Sequence, residues 1–325
     1  MFPSREEHSG SPRSPPSSPS SSTLSLDEEQ TNTRLKPDWS KYRSVFECNG
    51  YHLETARDVK DHYLHNDRRG MSPAYRRACA LQDDDALCGD PGLPDNLFRG
   101  TRYKDEKKLV VKAVHLLSRE LDIARYISSP ALRGDPMNHC ILAATGNSIY
   151  AAILDFLDVP SDGICFVVME EWSSCLLSHL PITLHEFLSA IHQCIEHVVF
   201  LHRYCIVHFD ISIYNFVTDY RGHYACIDYE LSRRLDIDGP QVISLRGTEI
   251  PPELERGEAS DPYMVDIWAL AMLILRSCEA TGFGIPELFH IARSMLNECP
   301  DKRPCALVVL RAFRRLLWIN GRPSQ

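Results

Sequence analysis

The chain has 325 residues, of which 44% are hydrophobic and 24% charged, and its formal net charge is −9. These values describe an ordinary globular protein with room for one large domain or two small ones, and the acidic balance argues against nucleic acid or an anionic membrane surface as the main partner. The longest apolar run, "IWALAMLIL", is about half of what a bilayer requires, and the start of the chain lacks the apolar core of a signal peptide.

Residues 1–36 are rich in Ser and Pro and lack apolar periodicity, so they are expected to be a disordered tail that cannot offset its ordering entropy. Ser11-Pro12, Ser14-Pro15 and Ser18-Pro19 fit proline-directed phosphorylation, and fit equally a solvated tail with chance pairs. Residues 37–93 read as an N-terminal extension on the main domain. In it, "WSKYRSVFECNGYHL" has the spacing of a short helix ending near Gly50, "RDVKDHYLHN" looks helical, and "LQDDDALCGDPGLP" is loop-like. Residues 94–172 are strand-rich: "LVVKAV", "AAILDFLDV" and "ICFVVMEEW" read as strands, with "SRELDIARYI" as a helix among them. From about Thr183 the chain turns helical, with "LHEFLSAIHQCIEHVVFLHRY", "VDIWALAMLILRS", "IPELFHIARSMLNE" and "ALVVLRAFRRLLW". The expectation is an α+β protein of two lobes, a small β-rich one at 94–172 and a larger helical one at 173–320. The twelve cysteines form no C-x-x-C pair and do not cluster with His at zinc spacing. We therefore expect reduced, mostly buried thiols and an intracellular protein, cytoplasmic or nuclear.

The chemistry gathers at a few positions. Period-two alternation places Val110, Lys112 and Val114 on one face of a strand, where an ammonium either reaches water or needs an anionic partner. Glu120 can face the same interior from the following helix, alongside Ile123, Ala124 and Ile127. In "IVHFDISIYNFVTD", two short apolar strands flank a polar loop carrying His208, Asp210 and Asn215, and Asp228 follows another strand in "YACIDYELS". Two strands that each deliver a carboxylate at a loop edge can aim both at one cleft. There one Asp can orient a hydroxyl, and an Asp plus an Asn can hold Mg²⁺. Asp83, Asp84 and Asp85 read most simply as a solvated loop.

Lys112 in "VVKA", Glu120, "HFDISIYN", "DYE", "PPE", "DPYMVDIWAL" and "PDKRP" resemble, in this order, the motifs of eukaryotic protein kinases. The resemblance spans about 94–318. Together with "FECNGYHLETARDVKDHYL" and "GLPDNLFRGTRY", the chain also resembles divergent kinase-like proteins of mushroom-forming fungi. The resemblance implies a protein-kinase-like fold that uses ATP and Mg²⁺ and acts on an unidentified protein substrate or binding partner. Asp210 would be the catalytic aspartate, with Lys112 and Asn215 beside it. Lys112 would contact the α- and β-phosphates and pair with Glu120, and Asn215 and Asp228 would hold the metal. Val110 and Met169, as gatekeeper, would border the nucleotide, and Glu170, Glu171 and Trp172 would be the hinge whose backbone holds adenine. Glu253 would pair with Arg303, and Asp266 would anchor the backbone of the catalytic loop.

The pattern also departs from the family. A single glycine, Gly100, stands where three are expected to let backbone N–H groups approach phosphates. Arg99, Arg102 or Lys104 offer substitute charge there, or simply face solvent. Phe209 replaces an arginine that meets a phosphorylated activation segment, so no phosphorylation switch at Ser244 or Thr248 is expected. Ser212 replaces a phosphate-contacting lysine, and Glu230 replaces a flexible glycine. Three readings follow: an ATP-dependent protein kinase, Ser/Thr-directed by default; a pseudokinase scaffold; and a small-molecule kinase, against which "PPE", "VDIWAL" and "DKRP" count.

Overall fold

Eight residues of alternating burial form the strand on which the site is built. In β3, Lys108–His115, Leu109, Val111 and Ala113 point to one side and are fully buried, while Val110 and Lys112 point to the other. The computed structural model describes residues 32, 34–65, 72–140, 153–173, 175–177, 183–235 and 241–320. The three Ser-Pro pairs lie outside these residues. The protein is of mixed α and β type, with nine α-helices and a five-stranded antiparallel sheet among the described residues.

The other strands of that sheet are β1 (Tyr51–Leu53), β2 (Leu97–Arg102), β4 (Ile153–Val159) and β5 (Ile164–Glu170), in the order β1-β2-β3-β5-β4. Helix α1, Trp39–Cys48, covers its outer face. It is capped by Asp38, which accepts from the Ser40 N–H, and its exit turns through Gly50 at φ 83°. Trp39, Tyr42 and Phe46 from α1 pack around Phe166 of β5 in tilted and edge-on pairs, with ring centroids 4.8–5.5 Å apart. The leading segment is thus built into the sheet, because α1 supplies part of its core and β1 is its edge strand. Helices α2 (Ala56–His65) and α3 (Pro73–Ala80) lie in the connection between β1 and β2. Asp84 and Asp85 pair there with Lys60 and Arg57 on exposed surface.

Helix α4, Arg119–Ile127, packs on the inner face of the sheet, where Leu121 joins Val114, Cys165 and Val167. The rest of the chain is dominated by helices. α5 (Leu184–Arg203) opens with a reciprocal cap between Thr183 and Glu186. α7 (Pro262–Thr281) starts from the Asp261 cap and stops at Gly282, φ 75°. They pack with α8 (Pro286–Met295) and α9 (Ala306–Asn320) around one large apolar core, while α6, Pro252–Glu255, is a single turn. Two short ribbons complete the described strands: β6 (Ile206–Val207) with β9 (Arg233–Arg234), and β7 (Phe216–Thr218) with β8 (Tyr224–Cys226). All twelve cysteines are free thiols, and six of them are buried. No helix among the described residues is long and apolar enough to cross a membrane.

Candidate functional site

Lys112 Nζ lies 2.6 Å from Glu120 Oε1 and 2.9 Å from Asp228 Oδ1. The short spacing between Lys112 and Glu120 is bridged because β3 ends at His115 and α4 begins at Arg119. Ser118 makes that turn abrupt: its hydroxyl donates to the His115 carbonyl and accepts from the Leu121 N–H. Glu120 therefore falls in the first turn of α4, where the helix dipole favours a carboxylate. Burial alone would lower the Lys112 ammonium's pKa, but Asp228 and Glu120 outweigh it and raise it above the usual lysine range. Lys112 in turn holds the Asp228 carboxyl below its ordinary value, whereas burial pushes Glu120 up against the pull of the lysine.

The loop from Val207 to Phe216 is held from below. Asp266, fully buried on α7, accepts the backbone N–H groups of His208 and Phe209, each at 2.8 Å, and also contacts His202. Phe209 takes a left-handed φ of 65° and Asp228 one of 62°, conformations that non-glycine residues adopt at a cost. His208 stitches the two loops together: its Nε2 donates to the Ile227 carbonyl at 3.2 Å, and its Nδ1 accepts from the Asp210 N–H at 3.3 Å. The Ile227 N–H donates to the Asn215 carbonyl at 2.9 Å, which places Asp228 beside the loop that carries Asp210. Asp210 accepts from Asn215 Nδ2 at 2.7 Å and from the Thr248 N–H at 2.6 Å.

Asn215 has thus committed its amide nitrogen to Asp210, and its side-chain oxygen is an acceptor on the loop whose backbone is bonded to Ile227, the residue before Asp228. A carboxylate and a carboxamide oxygen suit a hard divalent cation of the Mg²⁺ kind. Glu120, Asp228 and Glu230 also have carboxylate oxygens within 4.8 Å of one another. Beside them opens a largely apolar cavity of about 190 Å³, lined by Val110, Lys112, Met169, Glu170, Trp172 and Asp228 among others. Ala124, expected on the interior flank of its helix, also lines it, as do Leu97, Leu121, Val217 and Ile227, which no sequence pattern singles out. Glu171 is not part of that lining: its N–H donates to the Lys108 carbonyl and its carboxylate takes Arg99 at 2.7 Å.

Of the basic residues that could substitute for a phosphate-binding loop, Lys104 is exposed and the two arginines are paired within the sheet region. Arg99 bonds Asp90 and Glu171, and Arg102 bonds Asp105. Gly100 serves the sheet: a Cβ there would stand 2.5 Å from the His52 carbonyl oxygen, so only glycine lets β1 approach β2. Phe209 is buried with Val207, Val242, Leu245 and Leu254, beneath the Arg233 guanidinium. Ser212 is buried and accepts from the Tyr214 N–H. Further along, Arg303 makes a two-pronged bond to Glu253, 2.7 Å at each contact, with both side chains almost fully buried.

One residue close to the site had no sequence signal at all. Asn32, 1% exposed, bonds Glu120, His115 and Glu230. It belongs to the segment expected to be a disordered tail. In comparisons with known proteins, the chain matches no family model, and no curated protein matches it.

Proposed function

We propose that this protein is a two-lobed, protein-kinase-like phosphotransferase that binds ATP and a divalent cation between its sheet and its helices. The observation that carries the reading is the meeting of Lys112, Glu120 and Asp228 within hydrogen-bond distance, beside an apolar cavity and next to the Asp210–Asn215 pair. A lysine on the third strand paired with a helix glutamate, and an aspartate and an asparagine set to hold metal, are the working parts of a protein kinase.

In this reading the cavity takes the flat base. Its volume, below the roughly 300–1,000 Å³ of whole-ligand pockets, suits a ring rather than a whole nucleotide. Val110, Met169 and Trp172 supply the apolar walls. Lys112 offers its charge to the phosphates, and Glu120 fixes where that charge sits. Mg²⁺ held by Asn215 Oδ1 and Asp228 would neutralise phosphate oxygens. Asp210, oriented by Asn215 and by the Thr248 N–H, accepts the proton of the acceptor hydroxyl. The ties between Asp266 and the loop backbone keep that carboxylate in place without any contribution from substrate.

A second reading, a nucleotide-binding scaffold with little or no transfer, is favoured by the roles of Gly100, Arg99 and Ser212. None of them is placed to do what the glycine-rich loop and the phosphate-contacting lysine of a protein kinase do. Losing one transition-state cation costs on the order of a hundredfold or more in rate. The two readings separate in one experiment. The purified chain is incubated with labelled ATP, Mg²⁺ and a generic protein substrate, alongside Asp210→Asn. Phosphate incorporation abolished by Asp210→Asn is the expected result. No incorporation by either protein, with an ATP-induced rise in melting temperature, would establish the scaffold. Incorporation confined to small hydroxyl compounds would move the assignment to small-molecule kinases.

A further inference from the structure

Glu120 has two oxygens, and only one of them faces Lys112. The other, Oε2, accepts from Asn32 Nδ2 at 2.8 Å. The oxygen of the same carboxamide, Oδ1, accepts the backbone N–H of His115, the last residue of β3, also at 2.8 Å. The Asn32 backbone N–H donates to Glu230 Oε1 at 3.2 Å. One buried carboxamide thus ties the end of the lysine strand to the first turn of the glutamate helix, and its backbone reaches the residue two positions after Asp228. The sequence separations are 83 residues to His115, 88 to Glu120 and 198 to Glu230.

We propose that Asn32 is a positioning residue: it holds Glu120 in place against Lys112, so that a segment preceding α1 sets the geometry of the phosphate-binding lysine. The consequence for nucleotide rests on the function proposed above; the clamp itself does not.

The chemistry explains why an amide stands at this position. Glu120, Asp228 and Glu230 crowd three carboxylates together, and Lys112 is the ammonium bonded to two of them. A second cation at position 32 would compete with Lys112 for Glu120. A carboxylate would add repulsion where the amide N–H now donates. A hydrophobic residue would leave the His115 N–H and a Glu120 oxygen without these partners inside a buried site. A carboxamide donates to the carboxylate and accepts from the strand, and it is neutral. The anchorage matters because α4 spans only nine residues, and Glu120 lies in its first turn, where backbone N–H groups have no helical partners.

The test uses the full chain with Asn32→Ala and Asn32→Asp, read by hydrogen exchange and by Mg-ATP titration. In Asn32→Ala, exchange should quicken in peptides covering 113–118 and 119–127, with α7 and α9 unchanged. Mg-ATP affinity should fall about tenfold, as expected for losing a hydrogen bond to a charged group. Asn32→Asp keeps the acceptor for His115 but loses the donor to Glu120. It should therefore leave 113–118 protected, loosen 119–127 and weaken Mg-ATP binding at least as much as alanine does. A residue that merely filled space would not separate the two peptides in this way. Exchange in 119–127 within twofold of the parent in both variants overturns the clamp. Faster exchange with unchanged Mg-ATP affinity overturns the positioning role. If the parent itself binds no Mg-ATP, the proposed function fails, while the exchange pattern still decides whether Asn32 holds α4.

Discussion

Lys112 and Asp228 are separated by 116 residues, yet their charged atoms lie 2.9 Å apart. Glu120 completes the set on the other side of the ammonium. Replacing Lys112 by Met leaves two carboxylates facing each other, Glu120 the more deeply buried. We expect a loss of roughly 3–5 kcal/mol of stability, the usual result of removing one partner of a buried pair. Urea unfolding measures it; a change under about 1 kcal/mol would mean that the pair is solvated and contributes little.

Asp266 is a positional device, and its removal should be costly far from any substrate. Asp266→Ala strands the buried N–H groups of His208 and Phe209, each worth about 1–3 kcal/mol when left unpaired. The variant should melt several degrees lower and show faster amide exchange through residues 206–216. Unaltered exchange in that loop would show that the Phe209 packing holds it without Asp266.

Phe209 packs with Val242 and Leu245 of the segment that runs from Asp228 to Glu253. The Phe209 carbonyl stands so close to Gly247 that a Cβ there would fall within 2.3 Å of it. An apolar anchor of this kind holds the segment without a phosphate. Phe209→Ala should cost about 3–5 kcal/mol. Ser244→Ala and Thr248→Ala should leave activity intact, since it is the Thr248 backbone N–H, not its side chain, that reaches Asp210. Activity that disappears on phosphatase treatment and depends on either hydroxyl would contradict this.

The docking of α1 carries a pH signature. Burial, and then the bond to Asp162, push the Tyr42 phenol up to about 12 from 10.0, while Lys41 and Tyr42 hold Asp162 down to about 2. Tyr42 keeps its proton in the folded state after the unfolded chain has lost it. Its contribution is therefore complete below pH ~10 and lost as pH rises through ~12. The Asp162 contribution runs the other way: it is complete above pH ~4 and lost as pH falls through ~2. Tyr42→Phe should flatten the alkaline limb of a melting-temperature profile. An alkaline limb identical to the parent's would place the titration elsewhere.

Much of this arrangement is legible in the sequence, for a physical reason. The alternation in β3 and the helical spacing in α4, α5 and α9 reflect burial on one face, and burial leaves a period, while α7 is apolar nearly all round. The offsets within "HFDISIYN" fix Asp210 against Asn215 because the four residues between them have few ways to close the turn. β1 and α3 leave no sequence pattern, because three residues, or eight with a proline start, carry too little periodic signal. The Glu171 side chain turns to Arg99, a choice made by the neighbouring strand and invisible in its own sequence. Gly100 reads as a remnant of a phosphate loop until the His52 carbonyl appears beside it. Asn32 could not be found from sequence, because its partners lie 83 to 198 residues away and nothing around it is periodic.

Calorimetric titration of Mg-ATP into the parent chain, Lys112→Met and Asp228→Asn tests the central claim, that one cleft serves a nucleotide and its cation. We predict saturable binding to the parent that requires the metal, at least tenfold weaker binding to Lys112→Met, and loss of metal dependence in Asp228→Asn. A parent that takes up no heat, or three proteins with the same affinity, would contradict the account.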